Sequence, residues 1–313
     1  VTRQGLLEHN VVLGTALVNM YARFGLLVKA REVFDGLLAR NVVSWNALIT
    51  GYVRHGLDNN ALECFHEMQE KGIIPNEVTF ICALKACGSI GCLKMGEEIH
   101  AEVRRLGLLA ERSNHMLGNT LVDMYAKCGM MSKAQQVFEE LRIRDVVSWN
   151  ALITGYVHNG LGDEALKCFR QMRDEGIEPN EVTFIAMLKA CGSIGCLDIG
   201  EQIHSEIGRR PGLLGKEIAL SNTLVDMYAK CGAMEKALEI FDNIPVPNVV
   251  SWNALIVGYA QNGLGEEALS FFCRMRDEHI TPDAFTFSCV LKACADVGAL
   301  EMGQEIHGEV SKQ

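Results

Sequence analysis

Three histidine–glutamate pairs come nearest to a catalytic motif. They are His100 with Glu102, His204 with Glu206, and His307 with Glu309. Each matches the H-x-E half of a zinc deaminase, in which the histidine binds zinc and the glutamate moves protons. The other half of that motif, P-C-x-x-C, is absent. Because the match recurs three times at one position of a repeating sequence, we predict scaffold residues, no enzyme activity, and no metal or cofactor.

Asparagine amides are the second set of chemically capable residues. Asn46, Thr50 and Arg54 follow each other at four-residue spacing, so they lie on one face of a predicted helix. Equivalent asparagines stand at Asn119, Asn150, Asn222 and Asn253. Asparagine is a mediocre helix former, yet its amide carries both donors and acceptors, as the edge of a nucleobase does. The line could also be an ordinary solvated face; its recurrence favours a polar groove.

These asparagines belong to a long repeat. The phrase NVVSWNALITGY at 41–52 returns as DVVSWNALITGY at 145–156 and as NVVSWNALIVGY at 248–259. Phrases beginning near residues 13, 76, 117, 180, 220 and 283 follow the same period. One period holds three units of about 31 to 38 residues, the size of one helical pair per unit. We therefore predict one elongated all-α domain.

The unit 42–76 illustrates the predicted hairpin. Trp45, Leu48, Ile49 and Tyr52 fall on one stripe of a first helix, and Ala61, Leu62, Phe65 and Met68 fall on the stripe of a second. Gly56 separates the two helices, and Asp58 is the expected N-cap of the second. Gly72 and Pro75 are expected to end it. The pattern is typical of an antiparallel helical hairpin.

Composition narrows the possibilities further. The 313 residues carry a net charge of -10, from 29 Lys and Arg against 39 Asp and Glu, which disfavours indiscriminate binding to a phosphate backbone. The 12 cysteines occupy repeat-equivalent positions, so we expect small buried residues in a reducing compartment. No run of about 18 apolar residues suggests a membrane span. Val1 opens no targeting segment, and we expect the chain to be part of a longer protein.

These phrases resemble pentatricopeptide repeat proteins of the PLS subfamily, found in the organelles of land plants. NVVSWNALITGY resembles the opening of a P unit, TFICALKACGSIG that of an L unit, and TLVDMYAKCG that of a short S unit. The resemblance covers essentially the whole chain and implies a single right-handed superhelical solenoid of helix-turn-helix repeats over residues 1–313. The register is an L tail 1–10, S 11–41, P 42–76, L 77–114, S 115–145, P 146–180, L 181–217, S 218–248, P 249–283 and a partial L 284–313.

The resemblance also implies a way of binding single-stranded RNA, one base per P or S unit. The fifth and last residues of a unit together select the base: Thr15 with Asn41, Asn46 with Asn76, Asn119 with Asp145, Asn150 with Asn180, Asn222 with Asn248, and Asn253 with Asp283. The second residue clamps the base: Val12, Val43, Met116, Val147, Ala219 and Val250. Cations for phosphate are Arg23, Arg54, Lys127 and Lys230. The implied target is 5′-AYnUYnYU-3′, with n at the L units. An alternative explanation of the S-unit cations, less favoured than phosphate binding, is that they are C-terminal residues interacting with the helix dipole.

The L units depart from this scheme, because their fifth residues are Ile81, Ile185 and, in the last unit, Ser288, and an isoleucine cannot hydrogen-bond a base. They either space the RNA or present a surface to a protein, which by resemblance would be the organellar editing cofactors called MORF or RIP proteins. The resemblance implies the specificity module of an RNA editing (C-to-U) factor in a mitochondrion or chloroplast. The alternative is a protein-binding scaffold, since Trp45, Leu48 and Tyr52 approach the tetratricopeptide pattern. Ile49 in place of its glycine, and asparagines that this pattern leaves unexplained, favour RNA.

Overall fold

A computed structural model describes residues 10–110, 115–210 and 218–311. Those ranges contain eighteen α-helices, one short 3-10 helix at Leu108–Ala110 and no strand. The chain divides into two compact units, Val1–Asn159 and Gly160–Gln313. The predicted all-α class is confirmed. Parts of the predicted L units, at 1–9, 111–114, 211–217 and 312–313, lie outside the described residues.

The helices of the first unit follow the predicted hairpins. They are α1 Val11–Arg23, α2 Leu27–Asp35, α3 Val42–Arg54, α4 Asp58–Glu70, α5 Glu77–Ile90, α6 Leu93–Arg105, α7 His115–Lys127, α8 Met131–Glu140 and α9 Val146–His158. We call the odd-numbered members first helices and the even-numbered members second helices. Each first helix of this unit packs against the next first helix along the chain.

The second unit has the same construction. Its helices are α10 Gly162–Asp174, α11 Glu181–Ile194, α12 Leu197–Arg209, α13 Ile218–Lys230, α14 Met234–Asp242, α15 Val249–Gln261, α16 Gly265–Asp277, α17 Ala284–Val297 and α18 Leu300–Val310. The odd-numbered helices are again first helices, and α11, α13, α15 and α17 pack in that order. Every predicted repeat therefore opens at the first residue of a helix.

The N-terminus of a first helix is fixed by a local exchange of hydrogen bonds. Asn76 accepts from the backbone N–H of Thr79, while the hydroxyl of Thr79 accepts from the backbone N–H of Asn76. This capping box satisfies donors that a helix start leaves unpaired. It recurs at α3, α9, α11, α15 and α17, with caps Asn41, Asp145, Asn180, Asn248 and Asp283. The last residue of each such repeat is thus the cap of the next.

Second helices begin differently. Asp58 is the first residue of α4, and its predicted role as N-cap is wrong, because Leu57 occupies that place without a side-chain cap. The Leu57 amide instead bonds back to the Tyr52 carbonyl, which sets the start of α4 by backbone geometry alone. Gly56 and Gly72 adopt φ values of 70° at the helix ends, as expected. His279 takes the Gly72 position in the third copy with φ 59°, a conformation that costs a side chain energy.

The aromatic stripe forms the core. Trp45, Leu48 and Ile49 are fully buried, as predicted. The Trp45 ring meets Phe34 edge-on at 4.6 Å, and Trp149 with Phe138 and Trp252 with Phe241 repeat the contact. Each pair joins the second helix of one repeat to the first helix of the next, so successive hairpins share a core.

Glycines bring neighbouring first helices close. A Cβ on Gly51 of α3 would lie 2.6 Å from the Ala22 Cβ of α1. The same approach recurs between Gly155 and Ala126, and between Gly258 and Ala229. All twelve cysteines are free thiols, six buried and six half-buried, which agrees with the prediction that they are packing residues.

Candidate nucleic-acid interface

The predicted base-selecting pair of the first P repeat is brought together between neighbouring first helices. Asn46 lies on α3 and Asn76 caps α5, and the Asn46 Nδ2 donates to the Asn76 Oδ1 at 2.9 Å. The Thr79 hydroxyl donates to the Asn46 Oδ1 at 2.6 Å. Asn46 thus forms one polar cluster with Asn76 and Thr79, which lie 30 and 33 residues further along the chain.

The third predicted P repeat has the same cluster, with the carboxylate of Asp283 in the place of the Asn76 amide. The Asn253 Nδ2 donates to the two carboxylate oxygens of Asp283 at 3.2 and 3.3 Å. The Thr286 hydroxyl donates to the Asn253 Oδ1 at 2.6 Å. The backbone N–H of Thr286 lowers the pKa of Asp283, with further help from its hydroxyl and from Asn253, so the carboxylate is ionised at neutral pH.

In two of the predicted S repeats, the amide oxygen of the fifth-position asparagine has no hydrogen-bond partner. The Asn222 Nδ2 reaches the Asn248 Oδ1 at 3.4 Å, while the Ser251 hydroxyl bonds only to Asn248. The Oδ1 atoms of Asn222 and Asn119 are buried with no hydrogen-bond partner. The Thr15 hydroxyl is in the same condition. Asp145 is the last residue of the predicted repeat that contains Asn119. Burial acts to raise the pKa of the Asp145 carboxyl, but hydrogen bonds to Ser148 oppose this effect, and the pKa lies below its usual value.

The fifth-position asparagines are more buried than the predicted polar groove implies. The fifth-position asparagines do not stand on an open groove wall: Asn119, Asn150, Asn222 and Asn253 are only 6%, 8%, 7% and 7% exposed. Thr15 and Asn46 are half-buried. Asn119, Asn222 and Asn253 are covered because each lies on a helix that packs against the next first helix of the same unit. The last residues Asn41, Asn76, Asn180, Asn248 and Asp283 are exposed, and Asp145 is half-buried.

An apolar side chain stands exposed at the second position of these helices. Val12 is 80% exposed, and the other predicted clamps, Val43, Met116, Val147, Ala219 and Val250, are also exposed. The first helices of the predicted L repeats have the same feature, in Val78, Val182 and Phe285, which was not predicted from the sequence. Counting from the helix start would have revealed it. The first helices α3, α5, α9, α11, α15 and α17 thus offer an apolar side chain beside a polar capping box.

The predicted phosphate cations fall into two kinds. Arg23 and Arg54 are exposed, and neither has an ion-pair partner within the described ranges. Lys127 and Lys230 instead form ion pairs at 2.8 Å with Asp123 and Asp226, one turn earlier. Exposed i,i+4 pairs are weak, so these two lysines can exchange partners at little cost.

Charge separates between the two layers of helices. The nine first helices carry seven Lys or Arg against five Asp or Glu, and the nine second helices carry thirteen against twenty-six. The net charge of -10 therefore resides on the second helices. Counted helix by helix, the first helices have two more cations than carboxylates, so the acidic total does not by itself disfavour a polyanion at these helices.

The histidine–glutamate pairs lie elsewhere, on second helices. The Nδ1 atoms of His100 and His204 lie 2.8 Å from the hydroxyls of Tyr125 and Tyr228. Burial lowers the pKa of both histidines. No group of three metal-ligating side chains occurs within the described residues, nor does any helix there have the length and apolar character for crossing a membrane.

Fold and sequence together define a protein of repeated helical hairpins, with polar clusters where α3 meets α5, where α13 meets α15 and where α15 meets α17, and with an exposed apolar residue at the second position of each first helix. A PPR repeat family model matches residues 40–89, 144–193 and 247–296, and a PPR repeat model matches 15–42, 119–146 and 220–245. Together they cover more than half of the chain. The chain belongs to the pentatricopeptide repeat family.

Relatives and solved structures agree. The chain is 39% identical over 292 residues to Arabidopsis thaliana pentatricopeptide repeat-containing protein At4g18520, chloroplastic, covering 93% of this chain and 46% of that protein. It is 41% identical over 289 residues to the Arabidopsis putative protein At3g13770, mitochondrial, covering 92% and 40%. The chain thus spans less than half the length of these relatives.

The fold matches that of PPR10 from maize, with a TM-score of 0.67 at 20% identity over 96% of this chain and 43% of that one. PPR10 in complex with an 18-nt psaJ RNA element matches with a TM-score of 0.65 at 21% identity, covering 98% and 51%. At such low identity the likeness concerns the fold.

Proposed function

We propose that this chain binds single-stranded RNA in a sequence-specific manner, one base per P or S repeat. The observation that carries the proposal is the polar cluster at the junction of neighbouring first helices, with an exposed apolar side chain on each. Such a junction offers hydrogen-bonding groups for a base edge and a surface for its face. The related fold of PPR10, solved with an RNA element, supports the same use here.

Burial suggests how the two base-selecting residues divide the work. The exposed cap, such as Asn76 or Asp283, meets the base edge, while the buried asparagine fixes its orientation through the Nδ2 hydrogen bond. At Asp283 the carboxylate is an acceptor only, which suits the N–H of uracil. At Asn76 the bonded Oδ1 leaves the amide hydrogens for a pyrimidine acceptor. The six predicted pairs then select 5′-AYnUYnYU-3′.

The P, L and S register is part of this proposal. It is supported by the coincidence of each repeat's first residue with the start of a helix. Arg23 and Arg54 contact phosphate directly, whereas Lys127 and Lys230 first release Asp123 and Asp226.

The biological role is proposed at a coarser level. Relatives are named chloroplastic or mitochondrial, so we place this chain in a plant organelle. We propose that it is the specificity module of a C-to-U editing factor, because its repeats alternate P, L and S types. Editing cofactors of the MORF or RIP kind would then meet the L repeats.

Protein binding by a tetratricopeptide-like scaffold is the competing function. The Asn and Asp residues that end the repeats have a structural role as helix caps, so their recurrence counts less strongly against protein binding. The family assignment and the near-neutral, slightly positive layer of first helices still favour RNA.

A binding assay tests the function. The octamer with the proposed sequence and a scrambled octamer of equal composition are titrated against the purified chain in a filter-binding experiment at fixed salt. We expect the proposed octamer to bind at least tenfold more tightly, since each mismatch costs about 1–3 kcal/mol. Equal affinity for both RNAs, or no binding to either, would overturn the proposal.

A further inference from the structure

Each L repeat carries one lysine on its first helix, and it was not among the predicted sites. Lys85, Lys189 and Lys292 occupy the ninth position of α5, α11 and α17. All three are exposed, and none forms an ion pair with a carboxylate of the described residues. The equivalent position holds Asp123 or Asp226 in two S repeats and an uncharged residue in the other first helices.

These lysines share a face with the exposed apolar residues. Val78 precedes Lys85 by seven residues, and Val182 precedes Lys189 by the same interval. Seven residues are almost two helical turns, so both side chains lie on one side of the helix. In α17 the apolar member is Phe285, an aromatic ring 58% exposed and seven residues before Lys292. A cation and a stacking surface therefore recur together.

The base-reading position of the first two L repeats is unsuited to hydrogen bonding. Ile81 is buried, and Ile185 is half-buried. Neither offers a donor or an acceptor to a base edge. These two repeats thus have the means to hold a nucleotide and lack the means to identify it, whereas the third has an exposed Ser288 at this position.

Contacts between neighbouring first helices explain why the L-repeat lysine is free of an ion pair while the S-repeat lysine is not. Gly88 lies about one turn beyond Lys85, and a Cβ there would be 3.3 Å from the Lys127 Cδ, so the Lys127 stem packs on α5. The ammonium of Lys127 is bound to Asp123. The second unit repeats this arrangement with Gly192, Lys230 and Asp226. Of the two cations at each junction, only the L-repeat lysine is free.

We propose that L repeats bind RNA through its backbone, with Lys85, Lys189 and Lys292 on phosphates and the second-position residues against unread bases. The proposal rests on RNA being the ligand, as argued above. It assigns the nucleotides written n a role in affinity without a role in specificity. An acidic protein surface is the other polyanion these lysines could meet, and the experiment separates the two.

The test compares two triple variants of equal charge change. One replaces Lys85, Lys189 and Lys292 by glutamine; the control replaces Lys29, Lys71 and Lys94, which are exposed, lie outside the first helices and have no ion pair among the described residues. The RNA is the octamer extended by one 3′ nucleotide, so that α17 is also occupied. Affinity is measured over a series of salt concentrations.

We expect the slope of log K against log salt to flatten by about 2 for the L-repeat variant, since each lost contact to single-stranded RNA removes about 0.7. Base preference at the read positions should stay unchanged. The control variant should keep the slope of the original chain. Lysine-to-arginine changes at the three L positions should restore it, because charge is retained.

Each other outcome is informative. An unchanged slope in the L-repeat variant, with tight binding retained, overturns this proposal, leaves the proposed function standing and points to a protein partner for the lysines. Equal flattening in the control would mean general electrostatics and would also overturn it. If the original chain binds no RNA at all, the proposed function itself fails. Denaturation midpoints of both variants verify that each remains folded.

Discussion

At the scale of single residues, the capping asparagines and aspartates carry two tasks. Asn76 holds the start of α5 and, in the proposed function, meets a base. The Asn46 Nδ2 donates to the Asn76 Oδ1 at 2.9 Å, and this hydrogen bond fixes the orientation of the Asn76 amide. A change at either position therefore alters the other's hydrogen bonding, so the pair acts as one unit.

Base preference should follow the fifth residue. Replacing Asn46 by threonine recreates the Thr15 and Asn41 combination, so we expect the second RNA base to shift from pyrimidine toward adenine by roughly 1–3 kcal/mol. Competition binding with RNAs differing only at that base measures the shift. The fourth base, assigned to Asn119 and Asp145, is the internal control and should not change. An unchanged second base would contradict the register.

The buried amide oxygen of Asn253 depends on one hydroxyl. Replacing Thr286 by valine removes its donor at 2.6 Å and leaves a buried acceptor unpaired, so unfolding should become easier by about 1–3 kcal/mol. Replacing Thr286 by serine keeps the hydroxyl and should cost less. Urea denaturation monitored by circular dichroism measures both. Equal losses in the two variants would show that the methyl group, not the hydrogen bond, matters.

At the scale of helices, close approach between first helices sets the spacing of the sites. Gly51 permits contact of α3 with Ala22 of α1, and equivalent glycines do so at two other junctions. Each cluster spans two first helices, so a change in their separation would pull the paired residues apart.

Replacing Gly51 by alanine should therefore destabilise the chain. The new Cβ would lie 2.6 Å from the Ala22 Cβ, and we expect a loss of about 1–3 kcal/mol in spite of a helix-propensity gain of about 1 kcal/mol. Gly36→Ala is the matched control, because its φ is -74° and its nearest neighbours are 3.5 Å away or more. The shift in urea midpoint is the measurement. A Gly51 variant as stable as the control variant would refute the packing argument.

Much of the fold follows from local sequence, whereas the site depends on distant partners. The stripe of Trp45, Leu48 and Ile49 predicted a buried face because a helix repeats every 3.6 residues. The burial of Asn253 could not be predicted this way, since its partners Asp283 and Thr286 lie 30 and 33 residues further along the chain. Two missed features were local. The Asn-x-x-Thr capping box and the Asp123 and Lys127 pair can both be found from sequence spacing.

At the scale of the whole chain, the segregation of charge reconciles an acidic protein with a polyanionic ligand. Free cations such as Arg54 and Lys85 lie on first helices, while the excess carboxylates lie on second helices. Net charge alone therefore misjudges the binding face. The second helices keep the molecule acidic, and the first helices keep the cations that the proposed function assigns to RNA.

The cysteines allow a chain-wide measurement of packing. Burial raises the pKa of Cys64 and Cys168 to about 11 and that of Cys87 and Cys191 to about 12. At about pH 8 these thiols stay protonated, so a disulfide reagent should label the native chain slowly at the six buried cysteines. The six half-buried ones should react first, and all twelve should react quickly in denaturant. Fast labelling of Cys87 in the native state would contradict the burial.

The double duty of the capping residues limits how the chain can be retargeted. Asn, Asp, Ser, Thr and Gly are the preferred residues at a helix N-cap, so few substitutions at Asn76 or Asp283 preserve the helix start. A lysine or leucine there would weaken the helix start whatever base it favoured. New targets are therefore best reached by exchanging members of this small set, or whole repeats, so that each change of sequence preference leaves every hairpin intact.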